Sequence, residues 1–348
     1  MKYKELQPDF DQSKEITTTS ADGTTQFYNV PSSPAVKNSY AALGGLRNFA
    51  EIGIVKNPNS KAYLVYDDEN STQERKIIKA YKSEELKFSI AYCDFTKMFQ
   101  KDNNKGFMKI YVFILTQIYE QCFFQGKFVI IPDTEPFVEI RYSQMVEAGM
   151  YQSETAARDS FKTNLKKLKS MEFSAELTSK KDGKAFVPLF KGELPIKGGY
   201  NLVLNDLIDW NAIAEFYTKV PKWAFKLSSR AFSVVFYVFY LARQNANHII
   251  EKHYFTIKPR SIQIFLNLPD EKNTTDPKRV IKDPIKDAIN EINQEAAPSS
   301  FNIKLDPKAM NRKIKDFLDN STITVNLNDE YSEAFLSLKK AIAKQKKK

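Results

Sequence analysis

The sequence predicts an α+β protein in which one order of elements occurs twice. Three observations carry that expectation. Residues 153–171 and 277–295 each show the 3.6-residue apolar period of an amphipathic helix. Each is preceded by an apolar helix, a strand run and a short helix, and each is followed by strand runs. In both long helices the basic residues gather on one flank of the apolar stripe.

Taken in order, residues 1–60 read as a flexible N-terminal tail. Stretches such as TTTSADGTTQ and VPSSPAVKNS offer too little apolar surface to fold alone. From Lys61, KAYLVYD and KIIKAYK fit either strands or a helix, and the pattern leaves both open. MKIYVFILTQIYEQCFF, Met108 to Phe124, is an apolar helix, and KFVII and FVEIR are short strands. A short helix then runs from Tyr142 to Ala148, with a turn at Gly149 and a long helix capped by Ser153. FSAELTSKKDGKAFVPLF holds two strand runs around Asp182-Gly183, a hairpin signal because both turn positions tolerate positive φ. Helix, short helix, turn, helix and hairpin are the elements of a winged helix-turn-helix, here a first domain over 61–205.

A second domain over 206–348 repeats the order. Ser228 opens an apolar helix, HYFTIK is a strand, RSIQIFLNL a short helix, and 277–295 the long one. FNIKL and TITVNL form the wing, interrupted by DPKAMNRKIKDFLDN, a short helix or basic loop at the wing tip. DEYSEAFLSLKKAIAKQKKK predicts a C-terminal amphipathic helix that frays into lysines.

The proline at 284 sits inside the last long helix. Ile281, Ile285, Ala288, Ile289 and Ile292 ask for one continuous stripe, yet an interior proline costs about 3 kcal/mol. Either Pro284 starts a helix capped by Asp283, or it kinks a longer one begun at Pro277 after Asp276.

The flanking arcs are candidate DNA-contacting faces. In the first helix, Thr155, Arg158, Lys162, Lys166 and Lys169 cluster beside the stripe of Ala157, Phe161, Leu165, Leu168 and Met171. From 153 to 171 five Lys and Arg stand against two acids, which favours a face that meets phosphate over an ordinary solvated one. In the second, Arg279, Lys282, Lys286, Asn290 and Asn293 share an arc, with Lys278 at its start. Cations suit phosphates, and carboxamides can pair with adenine edges. The four acids of 277–295 balance its four bases, so a plain solvated face is the competing reading there.

The composition agrees with a nucleic-acid partner. Among 348 residues the formal charge is +10, and 42% hydrophobic with 13% aromatic content suffices to build cores. The N-terminal stretch has no apolar signal region, and FSVVFYVFYLA is about half the length that crosses a bilayer, so a cytoplasmic protein without a membrane partner is expected. Cys93 and Cys122 suggest no disulfide framework, and with His248 and His253 they lack metal-ligand spacing, so no metal or cofactor is expected.

The run LSSRAFSVVFYVFYLAR from Leu227, then SIQIFLNL, then KRVIKDPIKDAINEIN resembles the C-terminal winged-helix domain of iteron-binding plasmid replication initiators, the Rep proteins of theta-replicating plasmids. The resemblance rests on Lys278, Arg279, Val280, Pro284, Ala288, Ile289, Asn290, Glu291, Ile292 and Asn293. It implies a double-stranded DNA-binding protein that recognises direct repeats at an origin. It also implies homodimerisation through the first domain, recruitment of a host replication initiator and helicase, and a recognition helix that keeps its proline. Residues 1–105 and the insertion at 307–319 have no counterpart in that pattern.

Other classes fit less well. A rolling-circle initiator or relaxase needs a His-hydrophobic-His metal pair, whereas the histidines here read HIIEKH. GGL at 44 and KGGY at 197 lack the Gly-Lys-Ser/Thr pattern of a phosphate loop, and Asp67-Asp68 reads as an acidic turn. An enzyme is therefore not expected. A winged-helix transcription regulator or a primosomal helicase-loading protein remains compatible with the elements; a loader would bind without sequence preference.

Overall fold

A computed structural model of the protein describes residues 27–31, 51–53, 61–67, 76–82, 90–92, 106–124, 127–129, 135–169, 172–176, 184–205, 210, 217–244, 252–266, 268–296, 301–328 and 331. It is a mixed structure of helices and antiparallel sheets. The span expected as a flexible tail contributes two strands, which corrects that expectation at those positions. β1 (Phe27–Pro31) pairs with β13 (Tyr217–Pro221), and β2 (Glu51–Gly53) pairs with β5 (Ile90–Tyr92). FYNVP and EIG are short β-prone runs whose surroundings dilute them in any composition average. The β1–β13 pairing also ties the span 1–60 directly to the second half. β3 (Lys61–Asp67) and β4 (Lys76–Lys82) pair antiparallel along their full length, which settles the open choice there in favour of strands.

In the first half, α1 (Phe107–Cys122) is buried on every side from Phe107 to Ile118, as a helix that is apolar all round must be. The two-residue strands β6 (Phe123–Phe124) and β7 (Lys127–Phe128) close a tight antiparallel pair behind it. Next come β8 (Phe137–Arg141), α2 (Tyr142–Glu147) and α3 (Glu154–Lys169). Gly149, at φ +75°, ends α2 in the left-handed conformation that glycine takes without strain, and the Met150 N–H reaches back to the Met145 carbonyl at 3.0 Å.

The strands on either side of Asp182-Gly183 pair with each other, but not with β8. These strands, β9 (Glu172–Glu176) and β10 (Lys184–Pro188), enter a six-stranded sheet in the order β2-β5-β9-β10-β3-β4, and the turn between them lies outside the described residues. The strands that complete the three-stranded sheet with β8 are β11 (Phe190–Ile196) and β12 (Gly199–Leu204), in the order β11-β12-β8. Lys197-Gly198 makes that turn. A side chain at Gly199 would run into the Ile140 carbonyl at 2.0 Å, so the close approach of β12 to β8 requires glycine there. Pro195 is tolerated because β11 is an edge strand.

The second half follows the same course. A 3-10 turn, Lys222–Lys226, leads to α4 (Ser229–Gln244), then β14 (Tyr254–Ile257) and α5 (Pro259–Phe265). A helical run from Pro277 ends as α6 (Asp283–Glu295), and it is followed by β15 (Phe301–Leu305), α7 (Ile314–Asn320) and β16 (Ile323–Leu327). The sheet order is β15-β16-β14, the same as β11-β12-β8 element for element. The insertion between β15 and β16 is thus a 3-10 turn and the helix α7. Of the expected C-terminal helix only Tyr331 lies within the described residues, packed against Phe239 and Phe301 and accepting a hydrogen bond from the Trp223 indole at 3.1 Å.

Pro284 is the second residue of α6, but helical backbone already runs into it from Pro277. Asp276 caps the run through a 3.1 Å bond from the Arg279 N–H to its carboxylate, with Pro277 next in the chain. Residues Lys278–Lys282 then form a π-turn, in which the Asp283 N–H bonds to the Lys278 carbonyl, five residues back. Lys282 and Asp283 keep helical backbone angles, so the run passes through the proline without a break. A proline ring clashes with the carbonyl four residues before it, here that of Val280, and the widened turn lies where that carbonyl sits.

The two halves share a core. α1 packs on α4, whose residues Ala231 to Phe239 are all buried. Phe225 stands edge-on to Phe113 at 6.1 Å and lies 5.0 Å from Phe232, so aromatic contact is continuous from α1 to α4. Among the described residues no helix is long and apolar enough to cross a membrane.

Candidate nucleic-acid interface

α3 carries the first basic face. The Ser153 hydroxyl accepts the Ala156 N–H at 3.3 Å, so the expected cap is in place. Ala157, Phe161, Leu165 and Leu168 are buried, and the helical period then turns Thr155, Arg158 and Lys162 outward; all three are exposed. Arg158 donates to Asp159 at 3.1 Å, but both side chains are about half exposed or more, at 48% and 66%, and such surface pairs are worth little. The Lys162 ammonium has no hydrogen bond or ion pair among the described residues. Lys166 and Lys169 belong to the same helix, with side chains outside the described residues. Met171 also lies outside them.

The second face is narrower than the sequence suggested. Ile281, Ile285, Ala288, Ile289 and Ile292 are buried as expected, and Lys278, Arg279, Lys286 and Asn290 are exposed. Lys282 and Asn293 are corrections. The Lys282 side chain is buried, and its ammonium donates to the Met310 carbonyl at 3.1 Å and to the Arg312 carbonyl. It also stands 5.4 Å from the centre of the Phe317 ring, and burial, with the neighbouring Lys278 charge, lowers its pKa. A wheel with about 100° per residue assumes an unbroken α-helix, whereas Lys282 closes a π-turn. Asn293 is half-buried and pairs twice with one backbone residue. Its amide donates to the Ile303 carbonyl at 2.7 Å, and its oxygen accepts the Ile303 N–H at 2.9 Å. This carboxamide holds β15 against α6, with one donor and one acceptor committed to Ile303.

Two polar residues outside the expected contact set fasten the elements around this face. Glu291 accepts the backbone N–H and the hydroxyl of Ser228 at 2.5 and 2.7 Å, which fastens α6 to the start of α4. Arg260 makes a fork on each side: Nε and Nη2 reach Asp319 at 2.9 Å, while Nη1 and Nη2 reach Glu271 at 2.7 and 2.8 Å. These bonds hold the Glu271 carboxyl at about 2 and lower the Asp319 pKa as well. Glu291 lies within the AINEIN stretch quoted above, so its helical neighbourhood was visible, but its partner 63 positions away was not.

The arrangement offers cations and, among the described residues, the exposed carboxamides of Asn290 and Gln294 on the outer sides of two helices. That chemistry binds phosphates and base edges. A comparison with protein-family models matched none, and a comparison with curated proteins found no match.

Proposed function

We propose that the chain is a sequence-specific double-stranded DNA-binding protein made of two tandem winged helix-turn-helix units, and that it initiates plasmid-type theta replication by binding repeated origin sites. The observation that carries the DNA-binding reading is the duplication itself. Helix, strand, short helix, long helix and two strands recur with the same strand order, and each long helix turns basic residues to solvent. Two such helices on one chain suit two neighbouring contacts on a duplex. The initiator role rests on the resemblance of Leu227–Asn293, and with it the dimer through the first half and the recruitment of a host initiator and helicase.

The test is selection of duplexes from a random library by the full chain, followed by titration of the selected site in rising salt. Enrichment of one motif, present as direct repeats beside the protein's own gene, is the expected result. Equal retention of all sequences, or a preference for single strands, would instead favour a helicase-loading protein.

A further inference from the structure

We propose that the insertion between the wing strands, Asp306–Asn320, is a second phosphate-binding surface, in which Lys308, Lys313 and Lys315 grip the DNA backbone beside the start of the long helix. This rests on the DNA-binding reading above and extends its contact surface beyond the two helical faces.

The insertion's charges are almost balanced in sequence, with Lys308, Arg312, Lys313 and Lys315 against Asp306, Asp316 and Asp319. Folding separates them. Arg312 pairs with Asp306 at 2.7 Å, and Asp319 is taken by Arg260 from α5. What remains is Lys308, Lys313 and Lys315, whose exposed side chains make no hydrogen bond or salt bridge among the described residues, against the exposed carboxylate of Asp316, which accepts from the Asn320 amide at 3.1 Å. Two of the three carboxylates are thus taken by arginines, Arg312 of the insertion and Arg260 of α5, while the three lysines are exposed.

The position and stiffness of the segment fit the same role. The Lys282 ammonium fixes the carbonyls of Met310 and Arg312 to the π-turn, one turn from Lys278 and next to Arg279. Arg312 also donates to the Asn320 carbonyl at 2.7 Å and the Ser321 hydroxyl at 3.1 Å, while Phe317 and Leu318 are fully buried. The lysines are therefore carried on an ordered platform, so little backbone freedom is lost when they meet a polyanion. Phosphates are the matching partner because ammonium groups give attraction without base readout.

The experiment compares the full-length parent with a variant in which Lys308, Lys313 and Lys315 are each changed to Gln, on a labelled duplex of mixed sequence in rising salt. The log-log slope should become shallower by about 0.9 for each lysine that meets a phosphate, and by an equal amount on all duplexes. The matching triple Lys→Arg variant should keep the parent slope. If the Gln variant melts like the parent and keeps its slope, the insertion touches no DNA and the inference falls, while the DNA-binding reading stands. If the parent itself shows no salt-dependent duplex binding, both fall together.

Discussion

Glu291 on α6 holds Ser228, the residue at the start of α4, by its backbone N–H at 2.5 Å and its hydroxyl at 2.7 Å. The Ser228 hydroxyl in turn accepts the Ala231 N–H at 3.3 Å, so one serine both caps α4 and docks α6. The preceding residue extends the connection, since the Leu227 carbonyl accepts the buried Lys109 ammonium of α1 at 2.7 Å. A polar line thus joins the central helix of the first half to the long helix of the second.

Lys109 makes that line pH-sensitive. Burial lowers its pKa from 10.5 to about 8, against the opposing pull of Glu291. Below about 8 both folded and unfolded chains carry the proton; between about 8 and 10.5 only the unfolded chain does. Stability contributed by this site therefore rises with pH across that window. Lys109→Met should lack the rise. Urea denaturation of both proteins through this range checks it, and a parent-minus-variant difference that stays flat would assign the titration elsewhere.

The Arg260 forks give the same direction of change in an acid window, and there the charged form is the one the fold favours. Glu271 falls from 4.5 in an unfolded chain to about 2 in the fold, so its contribution is complete above 4.5 and is lost as pH falls toward 2. Glu271→Gln should be less stable than the parent at neutral pH and should show a flatter decline in acid. Because Asp319 shares the same guanidinium and repels Glu271, the two carboxylates will not act additively, and a double variant with Asp319→Asn, which leaves Arg260 without either partner, should lose more than the sum of the singles.

What the sequence disclosed follows from locality. The stripes of α3 and α6 were readable because burial recurs with the helical period within one element: Phe161 and Ile289 are placed by residues three and four positions away. The partners of the strands around Asp182-Gly183 were misplaced for the converse reason. Asp182-Gly183 is a true turn signal, but whether its strands join β8 or β3 depends on pairings far apart in sequence. Lys282 looked like a neighbour of Lys286, and only its acceptors 28 and 30 positions on show that it serves the insertion. Phe27–Pro31 was hidden likewise, because its partner strand begins at Tyr217.

Lys162 tests the first face. It is exposed beside Arg158 on a helix whose described outer face carries no carboxamide, so its contact is expected to be with phosphate. Lys162→Ala should weaken binding to every duplex alike and reduce the salt slope by about 0.9, with stability changed by less than about 0.5 kcal/mol. Loss confined to one sequence, measured by anisotropy on cognate and scrambled duplexes, would make this helix a reader of bases.

The two asparagines of α6 provide the sharpest separation, because they stand three residues apart on one helix with opposite commitments. Asn293 satisfies both backbone groups of Ile303, so Asn293→Ala leaves a half-buried N–H and carbonyl without that partner and should cost about 1–3 kcal/mol in the urea melt. Any effect on DNA should be general, through a loosened β15, and should not depend on the sequence tested. Asn290 is exposed and makes no side-chain hydrogen bond among the described residues. Asn290→Ala should therefore melt within about 0.5 kcal/mol of the parent, while discrimination between the selected site and its single-base variants falls by about 1–3 kcal/mol. The adjacent Ile289 gives the internal control: Ile289→Asp would bury an unpaired carboxylate and should abolish the cooperative melt and binding together. Should Asn290→Ala keep full selectivity, the exposed arc of α6 is a solvated surface, and the reader of bases must be sought elsewhere.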